Sequence, residues 1–135
     1  MSDRKRPATS SLKSNSPLFW VALAIPVAII GIGVNFILNP VGASTGFGIP
    51  IYDPASFPFM WIKGIRDIFS GLVVLWSFWR GDRQIIAALF AMATLIPIGD
   101  GFIILSHLGF ALPIFIHWGT ALYMGVVTRL LFRST

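Results

Sequence analysis

The sequence predicts an all-α integral membrane protein, a four-helix antiparallel bundle with both termini in the cytosol. Two observations predict it: the chain is 56% hydrophobic with a mean hydropathy of +0.81, and its charged residues, only 11%, sit mostly between long apolar runs. A water-soluble domain does not combine that much apolar surface with so few charges. Segregation of charge to the ends of apolar runs is what a bilayer imposes, because charge is solvated only by water or headgroups.

At 135 residues the chain holds one domain. Residues 1–17, rich in Ser, Lys and Arg, carry too little apolar bulk to offset the entropy of ordering and read as a disordered cytosolic tail. The apolar run 18–38 is the first span, since about 20 residues at 1.5 Å each cross a hydrocarbon core of roughly 30 Å. Pro26 is expected to kink it. Residues 39–57 contain Pro40, Pro50 and Pro54 with Gly42, Gly46 and Gly48, which reads as a loop. Its Phe47, Ile49, Ile51, Tyr52 and Phe57 let it either skim the membrane surface or fold back over the bundle as a lid. The remaining spans read as 58–79, 84–106 and 113–132, joined by the short connections 80–83 and 107–112, which force antiparallel neighbours.

This threading collects Arg4, Lys5, Arg6 and Lys13, then Arg80 and Arg83, then Arg129 and Arg133 on one side, the cytosolic one by the positive-inside rule. Trp20, Trp76 and Trp79 mark the inner interface, and Tyr52, Trp61 and Trp118 the outer. Multi-pass insertion fits the endoplasmic reticulum and the plasma membrane equally. Small residues four apart, Ala87 with Ala91 and Ala121 with Gly125, are weak candidates for close helix approach.

Composition also excludes chemistries. The chain has no cysteine, so disulfides, thiolate catalysis and iron-sulfur clusters are absent. Two histidines and no glutamate leave no basis for a dedicated metal site, and no cofactor is expected. The net charge of +5 forms no basic stripe with interleaved aromatics, so nucleic acid is not a partner.

The candidate site lies in the second span, whose Lys63, Arg66 and Asp67 cannot be moved out of the membrane by redrawing its limits. From residue 68 to 79 is only about 18 Å of helix. Each mid-helix charge costs roughly 2.5 to 3.5 kcal/mol, against about 0.3 to 0.6 gained per large apolar residue. These charges therefore snorkel or find partners on other helices. Partners exist at matching depth: Asp100 on the third span, His117 on the fourth and Asn35 on the first. Helical spacing aligns Lys63, Arg66, Asp67, Ser70, Val74 and Ser77 on one stripe, and His117, Thr120, Met124 and Thr128 on another. A polar pocket in the outer half of the bundle is the expectation, narrowing toward a drier cytosolic half. Lys63 with Asp67 is an i,i+4 pair in the less favourable order; Arg66 with Asp100 and Asp67 with His117 are the expected cross-helix pairs. Tyr123 reads as packing, and Asp53 and Asp82 as solvated loop residues.

The motifs Asn39-Pro40-Val41-Gly42-Ala43, Gly46-Phe47-Gly48-Ile49-Pro50, Lys63-Gly64-Ile65-Arg66-Asp67, Pro97-Ile98-Gly99-Asp100 and His117-Trp118-Gly119-Thr120, in this order, resemble the small four-helix membrane family catalogued as domain of unknown function 4267. The resemblance covers about residues 18–131. It implies a small multi-pass protein, and some fungal members resemble accessory products of natural-product pathways.

The function expected from these residues is a cofactor-independent acid/base isomerase or cyclase acting on a lipophilic terpenoid or polyketide intermediate that arrives through the bilayer. Asp100 or Asp67 moves a proton, His117 assists, Arg66 with Asn35 and Thr120 holds a carbonyl or hydroxyl, and Lys63 tunes the field. The alternative is a non-catalytic scaffold or accessory subunit that binds a pathway enzyme, a lipid or a second copy of the chain, its polar groups only fixing helix order. Transport is a third reading, weakened by the lack of a visible inverted repeat.

The basic start, apolar run and Val41-Gly42-Ala43 also mimic a signal peptide, but the run exceeds the roughly 7 to 15 residues of an ordinary h-region. N-terminal sequencing of the mature protein is expected to find the first span retained; a chain beginning near Ser44 would show cleavage and leave three spans.

Overall fold

The computed structural model describes residues 11–133. Its helices are α1 (Pro17–Leu38), α2 (Pro40–Phe47), a 3-10 turn (Pro54–Ser56), α3 (Phe57–Arg80), α4 (Arg83–Ala93), α5 (Leu95–Leu108) and α6 (Leu112–Arg133). No strand occurs among the described residues beyond an isolated bridge between Ser11 and Asp82. The first ten residues of the expected tail lie outside the described residues. At the tail's end, Leu12 is seated in the core beside Ala22, Phe78 and Leu131.

Proline and glycine set the boundaries. α1 stops at Asn39 because a residue preceding proline is disfavoured in the helical region. The segment after it corrects the loop reading, since Pro40 opens a two-turn helix instead of preventing one. Proline is well placed in a first turn, where its missing N–H costs nothing. The Asn39 side chain accepts the Gly42 N–H at 3.1 Å as a cap, and Gly48, at φ +111°, ends the helix. Asp53 accepts from Ala55 N–H at 3.0 Å ahead of α3. Asp82 accepts from Gln84 and Ile85 N–H at 3.0 and 3.1 Å at the start of α4. Both aspartates are thus helix caps.

The expected third span is broken at Thr94. Pro97 cannot donate to the Ala93 carbonyl, and its ring crowds that oxygen. The Thr94 hydroxyl donates back to the Phe90 carbonyl at 2.7 Å, closing the end of α4. α1, by contrast, runs on through the buried Pro26.

α1 and α3 lie antiparallel along a seam of small residues. Phe19 meets Phe78 edge-on with centroids 5.4 Å apart, Gly71 abuts Pro26 and Ile30, and Gly33 faces Gly64. A Cβ on Gly64 would stand 2.8 Å from Ile37 Cγ1 and against the Gly33 carbonyl, so only glycine admits this approach. α6 packs against α4 and α5. Gly101 leaves the space that the Trp118 indole fills, with Phe102 edge-on to it at 5.3 Å. Trp118 is therefore a half-buried wedge between α5 and α6. Tyr123 donates to the Val21 carbonyl at 2.6 Å, a bond between α6 and α1 in place of simple packing. Arg83, buried, donates to the carbonyls of Leu131 at 2.8 Å and Leu130 at 3.0 Å, satisfying the end of α6.

The apolar core fills the end of the molecule where α3 turns into α4: Ala22, Phe78, Ile86, Ala87, Phe90, Val127 and Leu131 are buried together. The outside is apolar too, with Leu38, Phe69, Trp79, Leu95, Phe110 and Leu122 at 67–83% exposure. Apolar surface continuing round the molecule is incompatible with water and suited to lipid. α1, α4 with α5, and α6 are each long and apolar enough to cross a membrane, which makes this a membrane protein of helical type.

The glycine seam predicts that Gly64→Leu overpacks the α1–α3 contact and lowers stability by about 1–3 kcal/mol, measured as thermal unfolding in detergent. Gly31→Ala, where nothing lies within 4 Å, should leave it unchanged or slightly raised. Equal responses would contradict the seam.

Candidate functional site

At the end opposite the apolar core the helices part around a cavity of about 150 Å³. α1 contributes Ile29 and Ile32, α2 Phe47, and α3 Lys63, Asp67 and Ser70. The break between α4 and α5 contributes Ala93, Ile96, Pro97 and Asp100, and α6 Ile116, His117, Thr120 and Met124. α3 touches α4 near their shared turn but makes no comparable contact with α5. The cavity lies where those two helices diverge.

Lys63 and Asp67 form a salt bridge of 2.7 Å, their side chains 29% and 22% exposed. The Lys63 ammonium also stands over the rings of Phe36, at 4.6 Å, and Phe47, at 5.0 Å. Those aromatic faces supply negative potential where water is scarce. Such a pair is tolerated in an apolar wall because each charge is answered by its neighbour; either one alone would be expensive.

Across the cavity, His117 Nδ1 is 3.8 Å from Asp100 Oδ2, and His117 Nε2 is 3.2 Å from the Phe47 carbonyl oxygen. A carbonyl only accepts, so Nε2 is the donor in that bond, and this fixes the state of the other nitrogen. Nδ1 then faces Asp100 with a lone pair when the ring is neutral and with a proton when the ring is charged. At 3.8 Å the two groups are not in direct hydrogen-bond contact, and a guest atom can sit within reach of both.

α2 holds this arrangement in place. Ser44, 2% exposed, donates to the Val41 carbonyl and accepts the Ile51 N–H, each at 3.0 Å, which pins the chain reversal behind Phe47. Gly48 lies against Pro113 and Ile104 with no room for a Cβ. Phe47 in turn packs edge-on against His117, with centroids 4.7 Å apart. The segment read as either lid or skimming loop is thus folded over the end of the cavity.

Of the residues singled out in the sequence, Lys63, Asp67, Asp100, His117 and Thr120 line the cavity together. Arg66 and Asn35 do not: both are exposed on the outside. Helical phase explains it. Gly64 faces α1, and Arg66 is roughly 200° further round the helix, pointing away from the bundle; Asn35 stands in the same relation to Gly33. Arg66 has no ion pair among the described residues, and the carboxylate opposite His117 is Asp100 instead of Asp67. Sequence reasoning missed the part played by Phe47, whose carbonyl orients His117. It also missed the Pro97 break, for which proline four residues after Ala93 was the available signal.

These features define a small helical membrane protein with a pocket that gathers ionisable side chains in an otherwise apolar body. The chain belongs to the family described as domain of unknown function DUF4267, whose sequence model matches residues 27–131. Among curated proteins and solved structures, nothing matches it.

If Lys63 and Asp67 compensate each other, Lys63→Met and Asp67→Asn should each destabilise the protein by about 1–3 kcal/mol, while the double variant recovers most of the loss. Simple addition of the two losses in thermal unfolding would show that the pair is not coupled.

Proposed function

We propose that all four long helices cross the membrane, with both termini cytosolic, and that the cavity binds a small lipophilic molecule arriving from the bilayer between α3 and α5. α3 is 24 residues long, about 36 Å and sufficient to span. It falls short of apolar only through groups that are paired inside the bundle or, as with Arg66, able to snorkel to the headgroups. The basic residues Arg80, Arg83, Arg129 and Arg133 at the core end support the orientation.

Within that frame, the chain acts as a cofactor-independent acid/base catalyst, an isomerase or cyclase of a lipophilic natural-product intermediate. The His117–Asp100 pair delivers and recovers the proton. One observation carries this reading: a histidine held by a backbone carbonyl at Nε2 presents Nδ1 to a carboxyl group 3.8 Å away across a mostly apolar cavity. Proton transfer to a bound carbon or oxygen needs such a donor–acceptor couple within reach of one atom, sheltered from bulk water. Asp67 and Lys63 stay paired and set the field, and Thr120 positions the guest. The cavity's size, similar to one that holds benzene, means that only the reacting head of a terpenoid or polyketide would be enclosed, its remainder lying among lipid chains.

Metabolite profiling of a host with and without the gene tests this. A product that depends on the wild-type protein should fall about 10²- to 10⁴-fold with Asp100→Asn or His117→Ala at unchanged protein level. Unchanged product in both variants would refute the catalytic reading. Loss of folded protein or of a co-purifying enzyme, with no change in chemistry, would favour the scaffold.

A further inference from the structure

The hydrogen-bond inventory of the cavity narrows the class of molecule it accepts, on the reading that the cavity is a binding site. A hydroxyl has one hydrogen to give. Ser70 gives its own to the Arg66 carbonyl at 2.7 Å, and Thr120 gives its own to the Ile116 carbonyl at 2.8 Å. Both therefore offer a guest only lone pairs. Asp67 bonds Lys63 through Oδ2, which leaves its second oxygen as an acceptor. Asp100 makes no hydrogen bond within 3.5 Å among the described residues, and its Oδ2 stands 3.8 Å from His117 Nδ1. Of the three hydrogens of the Lys63 ammonium, one goes to Asp67, and the group stands over the Phe36 and Phe47 rings.

Even with the proton that the His117–Asp100 pair would hold counted as a donor, acceptors outnumber the donors that a guest can reach. Lys63 offsets the charge of Asp67, and a single proton on His117 Nδ1 or on Asp100 would leave that pair neutral as well. An anionic or cationic guest would enter an apolar wall without a counter-charge.

We propose that the pocket selects a neutral lipophilic molecule whose ring-sized head carries a hydroxyl, a phenol or enol, which donates to Asp100 while Thr120 and Ser70 lie beside it as acceptors. A ketone, ester or ether of the same size can use at most the His117–Asp100 proton and leaves the hydroxyl and carboxylate acceptors unanswered. The apolar remainder of the molecule leaves through the gap between α3 and α5.

The test uses the full chain in lipid nanodiscs with empty nanodiscs as the partition control, and 19F NMR of 4-(trifluoromethyl)phenol, its methyl ether and 4-(trifluoromethyl)benzoate. The phenol should bind about tenfold or more tightly than the ether, and the benzoate weakest. Asp100→Leu should reduce the preference for phenol to less than about threefold without weakening the ether. Thr120→Val, a smaller change that keeps shape, should reduce it in part. Equal binding of phenol and ether, or tightest binding of the benzoate, overturns the inference and leaves the cavity a binding site. No probe bound above the empty-nanodisc control overturns both. Phenol-selective binding with no variant-dependent product would sink the acid/base reading and leave this one standing.

Discussion

The charges on α3 are the constraint around which the rest of the bundle is arranged. Lys63 and Asp67 lie in the first half of a helix whose other surfaces, Arg66 apart, are largely apolar, and separating them from one another or from the bundle would leave an unanswered charge in hydrocarbon. Gly64, between them in sequence, faces Gly33 on α1. That contact fixes the rotation of α3 and puts the ion pair on the flank that looks toward α6 and the α4–α5 break. The cavity follows from the same arrangement. α1 and α3 are drawn together by glycine, α6 is drawn to α5 by the Trp118–Gly101 fit, and the two pairs separate where the polar groups lie.

Two departures from regular helix position the polar side chains of the cavity. The short helix α2 turns the chain back over the cavity and ends with the Phe47 carbonyl at His117. A free carbonyl at a helix C-terminus is a natural acceptor for a ring N–H. On the other side, Pro97 interrupts the third span one turn before Asp100, so that Ala93, Ile96 and Pro97 form cavity wall where a continuous helix would have run past. Irregular backbone at membrane depth is tolerated where it lines a cavity or is buried in protein.

Much of this was legible in the sequence and some was not, for physical reasons. Hydropathy places helices where α1, α4 with α5, and α6 stand, because crossing lipid demands long apolar runs whatever the packing. The depth of Lys63, Asp67, Asp100 and His117 along their helices was legible too, since rise per residue is fixed. Rotation about each helix axis was not. Lys63, Arg66 and Asp67 share one broad stripe, and only the glycine contacts with α1 decide that Arg66 faces out while its neighbours face in. The spacing of Gly64 with Gly71, one heptad apart, was the overlooked sign of that contact. Proline misled in both directions: Pro40 was read as a breaker where it starts a helix, and Pro97 was passed over where it ends one. Interactions with backbone carbonyls, such as His117 with Phe47 or Tyr123 with Val21, leave no trace in residue type.

The proposed chemistry depends most directly on the polar layer existing in a bilayer. Solid-state NMR distance measurements on the protein in lipid, with 13C-labelled aspartate carboxyls and 15N-labelled histidine and lysine, test it. One carboxyl should be strongly dephased by lysine nitrogen, as the 2.7 Å Lys63–Asp67 bridge requires. A different one should be dephased more weakly by histidine nitrogen, as the 3.8 Å Asp100–His117 approach requires. Absence of any aspartate–histidine coupling would mean that the proton-holding pair does not form, and the proposed chemistry would have no site.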